Sequence, residues 1–278
     1  MRYILVIALL LSTFLFGRTL DEIKHSGVIR IGVHNKQPPF SLQNTNGEFE
    51  GFEIDLAKAM TKAIFPKEDV KFELVGVTLA QRIEFLENDK IDLVIASMTE
   101  TEDRKKLVDF SIPYFRVNLG ILTKKEKHIT KLRELQEEGS TIIVEANSPA
   151  EYYFKQKGFK TIPCVGALTC YNMLIEDKGD AFSTDSLIVL AYPVINDSVE
   201  VVLKNLGETD YIGMAVSKGN EDLLEMVNDA IYKLSNDKFF TNAFNHTFVP
   251  FYKGNVAKQY FLLEDFYKIL YDMQLENL

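Results

Sequence analysis

The part of this chain that most constrains its fold is the stretch 91–114, IDLVIASMTETEDRKKLVDFSIPY. It opens with Ile91, Leu93, Val94 and Ile95, a short apolar run of the kind that forms a buried strand. The run gives way to small and hydroxyl-bearing residues, Ala96, Ser97, Met98 and Thr99. Thr101 is then a good helix N-cap, and Glu102 and Asp103 fall in the first turn, where a helix favours acids. Arg104 therefore projects a guanidinium beside free backbone N–H groups and two hydroxyls. That combination suits a small carboxylate, held by a planar two-pronged donor and by amides. The alternative is an ordinary strand–turn–helix carrying a surface arginine.

A buried strand needs a core, and the chain is long enough to supply one. Its 278 residues suffice for one large domain or two modest ones, and 46% hydrophobic content fits a globular protein. A net charge of −9 with no basic patch argues against nucleic acid as a partner. The four histidines, His25, His34, His128 and His246, are scattered, and none pairs with a cysteine at ligand spacing. No metal and no cofactor are expected.

Taken in order, the chain alternates. Residues 28–33 are β-branched and alternating, a strand, and they end in the polar loop His34-Asn35-Lys36-Gln37-Pro38-Pro39-Phe40. Loops at strand ends are where α/β proteins place ligand contacts. Asn46-Gly47 marks a tight turn between two short extended pieces. Glu50-Gly51-Phe52-Glu53 leads into a helix, 70–75 reads as a second strand, and Thr78 opens a helix carrying Arg82. With the stretch at 91–114, the order is strand, helix, strand, helix, strand, helix, which is a parallel α/β sheet.

A second block follows. Residues 117–123 and 141–144 read as strands, and Ser148-Pro149-Ala150-Glu151 is a capping box with proline at the first helical position. Residues 180–185 form a strand running into a hydroxyl-rich turn with one carboxylate, Asp185. Residues 199–202 and 211–216 read as two further strands before a helix over 221–234. Two anion-friendly turns and one lone acid fit a bilobed protein with its ligand between the strand ends. Arg104 would pair with a carboxylate and Asp185 with an ammonium, the two poles of a free α-amino acid. Capping of the next helix is the other role open to Asp185.

The N-terminus reads as a secretory leader over 1–17: a short positive start, an apolar run over 4–16, and a small Gly17. No cysteine follows, so a lipid anchor is not expected; a periplasmic location is, with an uncleaved anchor as the alternative. In an oxidising compartment, Cys164 and Cys170 suit a disulfide, or else two buried thiols. At the other end, 256–273 places Tyr260, Leu263, Phe266, Ile269, Leu270 and Met273 at helical spacing. This extension, 253–278, either packs on its own lobe or binds a partner.

Four motifs then resemble one family in its own order: GVIRIGV…QPPFSL, GEFEGFEIDLAKAM, IDLVIASMTETEDRKKLVDFSIPYF and GDAFSTDSLIVLAY. The chain resembles the extracytoplasmic solute-binding proteins of polar amino-acid ABC importers, solute-binding family 3, over roughly residues 20–251. The resemblance implies a type II periplasmic-binding fold: two α/β lobes joined by two crossing strands, near 117–120 and 211–213. The first lobe would be built from 20–116 and 214–252, and the second from 117–213. It implies that Arg104 and Thr99 bind the α-carboxylate with the backbone N–H of Ser97. It further implies that Asp185 takes the ammonium, Phe52 forms a pocket wall, and Asn147 and Ser148 close on the carboxylate. Here the chain departs from the family's frequent Gly-Ser/Thr-Thr turn, because Pro149 replaces a hydroxyl donor. Arg82 and the QPPF turn are similar to those of acidic amino-acid binders, which implies glutamate or aspartate, then glutamine. His34 stands where those relatives commonly carry lysine, which would make the pull on a second carboxylate weaker and pH-dependent. The implied partners are a free amino acid and an inner-membrane ABC permease, with the protein a monomer and not an enzyme. An enzyme similar to cyclohexadienyl dehydratases and a ligand sensor for a membrane receptor are the alternatives.

Overall fold

The computed structural model describes residues 17–276, so the apolar leader lies outside the described residues. Three parallel strands carry the first half of the sheet: β1 (Val28–His34), β5 (Lys71–Val77) and β6 (Leu93–Thr99). β1 lies in the middle, pairing Ile31 with Leu74 on one side and with Leu93 on the other. All seven residues of β6 are buried, as its near-continuous apolar run requires of a strand covered on both faces. Between β1 and β5 lies a small antiparallel sheet of β2 (Lys36–Gln37), β3 (Ser41–Gln43) and β4 (Phe49–Glu50), turned at Asn46-Gly47 with Gly47 at φ 84°. The helix Phe52–Ile64 lays Phe52, Leu56, Met60 and Ile64 against this sheet's core, a stripe at i, i+4 spacing.

The second half of the sheet contains β9 (Thr141–Glu145), β10 (Lys160–Cys164) and β11 (Ala181–Asp185), again parallel. Two antiparallel strands, β8 (Phe115–Lys124) and β12 (Val199–Ser217), pair with each other and carry the sheet from one half into the other. The path is β10-β9-β11-β8-β12-β6-β1-β5, with β7 (Val108–Phe110) beside β12. Residues 199–202 and 211–216 are thus one strand, not two. Lys204 and Asn205 stay within the strand because β8 pairs on either side of them, at Leu203 and Leu206, while Gly207, at φ 73°, takes up one of the irregular positions. The pairing slips at three places, between Val201 and Leu203, Leu203 and Leu206, and Leu206 and Asp210. Such irregularities bend and twist a strand where it passes between the lobes.

Each half keeps its own core. The first is rich in aromatics, with Phe40, Phe52, Phe115, Phe244 and Phe248 packed edge-to-face or stacked. The second half-sheet is covered on both faces. Leu122, Ile143 and Phe182 point to one core, and Ile121, Ile142, Val144 and Ala181 to the other, the period of two expected of strands. Cys164 and Cys170 are joined by a disulfide, with 5.5 Å between their Cα atoms, so neither is a free thiol. It ties the end of β10 to the helix Ala167–Ile175.

The C-terminal extension is helical only from Glu264, ending at Glu276, with a separate single turn over Lys258–Tyr260. Its inner side packs on the first core: Phe261 and Tyr267 are buried there, and the Tyr267 hydroxyl donates to the Pro113 carbonyl at 2.6 Å. Phe266 and Ile269 face outward and are exposed.

Candidate functional site

The C-terminal ends of β1, β5, β9 and β10, with the turn that follows β6, converge on one cleft between the two halves, of about 840 Å³. Open α/β sheets place their ligand crevices at strand C-termini. From the first half the lining includes His34, Ala80, Ile83 and Arg104; from the second, Glu145, Asn147, Pro149 and Tyr152. The disulfide-closed loop contributes every residue from Cys164 to Thr169.

Arg104 sits in a single helical turn, Glu102–Lys105, whose N-cap Thr101 accepts from the Arg104 backbone N–H at 3.3 Å. The side chain folds back so that Nη1 donates to the Thr99 carbonyl at 2.7 Å. Burial and the nearby Arg82 push the guanidinium down to about 10, so it stays charged at neutral pH. Asp185 and Glu145, from the other half, pull in the opposite direction, and Glu145 lines the cleft together with Arg104.

Asp185 begins the helix Ser186–Val189 but its side chain makes no capping bond, so the capping role is not the one it plays. Burial between the halves, and then Asp210 on β12, push its carboxyl up to about 7. A cationic group placed beside Asp185 would favour the carboxylate and relieve the repulsion from Asp210.

Arg82 is buried, not on the surface, with 3% exposure. Nη1 donates weakly to the Ser97 carbonyl at 3.4 Å, and Nε has no hydrogen-bond partner among the described residues. Burial lowers its pKa; Glu145 and then Glu53 raise it again. His34 is pushed down to about 3 by burial and by Arg82, so its ring is neutral at every ordinary pH. Its charge does not switch near pH 6.5, because Arg82 stands beside it and water is excluded. Nδ1 accepts from the Lys36 backbone N–H at 3.2 Å, which leaves the ring proton on Nε2.

Two expected contacts are differently arranged. Phe52 is not a cleft wall: it is 0% exposed, enclosed by Phe40, Tyr114, Phe115 and Phe248 in the first core. The Ser97 backbone N–H does not point free into the cleft. It donates to Glu53 Oε1 at 2.6 Å, and the same oxygen accepts from the Ser97 hydroxyl at 2.9 Å and the Tyr114 hydroxyl at 2.6 Å. This cluster holds Ser97 at φ 46°, in the left-handed region where a residue with a Cβ is uncommon. The strained turn aims Met98 and Thr99 at the end of β6.

On the second half, Asn147 lines the cleft and its N–H donates to Glu151 Oε2 at 2.7 Å. Ser148 caps the helix Pro149–Gln156, its hydroxyl oxygen accepting from the Glu151 N–H at 3.2 Å. That cap leaves the Ser148 O–H as a donor. Glu145 and Tyr152 line the cleft, and Asp210 and Glu53 act on the charges of Asp185 and Arg82; sequence reasoning singled out none of the four. The one signal available was for Glu145, an acid at the end of a strand directly before a helix cap. Among the described residues no group of three His, Cys, Asp or Glu side chains is placed to hold a metal.

Two α/β halves on a shared sheet, with opposed guanidinium and carboxylate groups in the cleft between them, define a bilobed solute-binding protein. The chain belongs to the bacterial extracellular solute-binding proteins, family 3, which it matches over residues 29–249. It is 33% identical over 222 residues to the glutamine-binding protein GlnH of an ABC transporter in Bacillus subtilis, covering 79% of this chain and 80% of the relative. The solved structure of a solute receptor for L-cysteine from Neisseria gonorrhoeae is similar, with TM-score 0.81 and 33% identity over 88% of this chain and 99% of that one. An ancestral amino-acid-binding protein, AncCDT-1, described as a precursor of cyclohexadienyl dehydratase, aligns with TM-score 0.74 and 31% identity over 82% and 98% of the two chains.

Proposed function

We propose that this protein captures a free polar L-amino acid in the cleft and delivers it to an ABC permease from outside the cytoplasm, as a monomer and without chemically changing the ligand. The reading divides the chain into a first lobe of 20–116 and 214–252 and a second of 117–213, with 253–278 as an added segment. The observation that carries it is the opposition of Arg104 and Asp185, on different halves and near enough to act on each other's ionisation. Ligand docks its carboxylate on Arg104 and Thr99. Closure brings Asp185 to the ammonium and the Asn147–Ser148 turn over the top, so contacts made only in the closed form shift the equilibrium. Two or three charge-assisted bonds of about 1.5–3 kcal/mol each offset the ordering cost and give roughly micromolar binding.

The buried Arg82 favours a ligand with an acidic side chain, glutamate or aspartate. The neutral His34 and the acid Glu145 favour an uncharged polar one, and the glutamine-binding relative supports that reading. A thermal-shift screen of the wild-type protein against the free amino acids tests the function, since a ligand that binds only the folded state raises Tm. A rise for one or a few polar amino acids, with the ligand recovered unchanged by mass spectrometry, is the expected result. Conversion of the ligand would instead favour an enzyme, and no rise for any amino acid would reject the reading.

A further inference from the structure

The end of β6 is held by a side chain rather than by its sheet. β1 pairs with β6 only at Leu93 and Val94, and the register with β12 jumps from Ala215 opposite Val94 to Gly213 opposite Met98, so neither neighbour pairs with Ile95, Ala96 or Ser97. Met214, the residue in the gap, bonds with Ser111 through both its N–H and its carbonyl. Ser97 turns elsewhere. Its N–H and hydroxyl donate to Glu53 Oε1, and its carbonyl accepts from Arg82. Glu53 is the second residue of the helix Phe52–Ile64 and is fully buried, as is Tyr114, whose hydroxyl is the third donor to the same oxygen. Two residues beyond Ser97 the pairing resumes, with Thr99 opposite Ile212, and the Thr99 carbonyl accepts from Arg104 Nη1 at 2.7 Å. Arg104 lines the cleft. A continuous path of bonds and backbone thus runs from a buried acid in the first core to the guanidinium in the cleft.

We propose that Glu53 is a positioning residue for the ligand's carboxylate: by fixing the Ser97 turn it sets the Thr99 carbonyl, and through that carbonyl the guanidinium of Arg104, before any ligand arrives. This rests on the reading of the cleft as an amino-acid site. An acid is a poor choice here if its only task is to fill the core. A buried carboxylate is costlier than an apolar group of the same size unless its bonds are needed. Only one of the two oxygens is bonded, since Oε2 has no partner among the described residues. The bonded oxygen holds a residue with a Cβ at φ 46°, a conformation that persists where its surroundings over-determine it. Three charge-assisted bonds converging on one atom do that. A guanidinium already held in place loses less freedom when it grips a carboxylate, and the saving appears as affinity. The reach of the Glu53 side chain is the feature at stake, because a shorter acid meets Ser97 only by drawing the turn toward itself.

Calorimetry on the full mature chain against the free amino acids first finds the tightest binder, which then serves as the probe. Glu53→Asp keeps the charge and shortens the reach by one methylene. It is expected to bind the probe at least tenfold more weakly while still giving a cooperative melting curve. The same change made on top of Arg104→Ala is expected to cost less than threefold, read by NMR titration, because the group being positioned is gone. A general loosening of the fold would weaken both backgrounds alike, so this comparison separates the two roles. Should Glu53→Asp not fold, Tyr114→Phe takes its place in the same comparison; it removes one of the three donors, keeps the ring, and is expected to cost at least threefold. A folded variant that binds like the wild type overturns the proposal, as does one that loses as much without Arg104 as with it; both outcomes leave amino-acid binding intact. No binding of any amino acid by the wild type overturns both this proposal and the functional reading beneath it.

Discussion

At the scale of single residues, the site is a set of charges removed from water and held in mutual check. Arg104 keeps its charge although it is buried, because the Thr99 carbonyl and the acids across the cleft compensate it. Replacing it with alanine would leave a bound carboxylate without a counter-charge. Arg104→Ala is expected to cost about 3–5 kcal/mol of binding, read by calorimetry; unchanged affinity would remove Arg104 from the site. Asp185 makes a separate prediction through pH. Its carboxyl is held up to about 7, so in the empty cleft it is protonated below that pH and ionised above it. An ammonium needs the ionised form, so binding below about 7 must expel a proton. Affinity is expected to fall roughly tenfold per pH unit below that point and to level off above it. His34, neutral above about 3, adds no step in this range, so a second inflection near pH 6.5 would contradict the assignment. The strand–turn junctions that carry Arg104 and Asp185 were legible in the sequence, because each has its own local signature. Glu145 and Glu53 were not. Glu53 looks like an exposed first-turn acid, and only the fold of Ser97 and Tyr114 onto it makes it a buried anchor.

At the scale of elements, the second half's contribution to the cleft is a loop fixed at both ends. The disulfide closes Cys164 to Cys170, and between them Gly166 donates to Glu145 while Val165 and Leu168, both largely exposed, form an apolar lip. Their counterparts on the first half are Leu107 and Ile83. A short loop of this kind contributes about 2 kcal/mol by restricting the unfolded chain. The Cys164→Ser, Cys170→Ser double variant is expected to lose about that much stability in chemical denaturation and also to bind its amino acid more weakly, because Glu145 loses its anchor. Lost stability with unchanged affinity would show that the loop is structural only. The cysteine pair was legible as an even count in a chain that reads as exported, but not its place at the cleft, which follows from the parallel pairing of β10 with β9. The same limit applies to β12. Its polar middle reads as a break between two strands, and only its partner β8 carries it on to Asp210, whose charge then acts on Asp185.

At the scale of the whole molecule, the two lobes communicate through β8 and β12, and the C-terminal extension grips the foot of β8. The Arg116 backbone N–H donates to the Phe261 carbonyl at 2.8 Å, its guanidinium donates to the Gln259 carbonyl, and Phe115 bridges to Leu262. Glu264 accepts from the Thr241 N–H at 3.2 Å, tying the start of the last helix to the helix Phe239–Phe251. Helical spacing alone left packing on its own lobe and partner binding both open for this segment, with packing ahead; these contacts favour packing. Burying two aromatic side chains, Phe261 and Tyr267, is worth about 1.5–3 kcal/mol each, before the backbone bonds are counted. A chain ending after Gly254 is therefore expected to lose several kcal/mol in a urea melt. Its transition should also come earlier for the first core than for the second, when each lobe is followed by a single tryptophan introduced into it, since the chain has none of its own. Because the lost bonds hold the strand that leads into the second lobe, ligand affinity should change with stability rather than independently of it. A truncated chain that melts like the full one but elutes at a different size would instead make Phe266 and Ile269 part of a subunit contact.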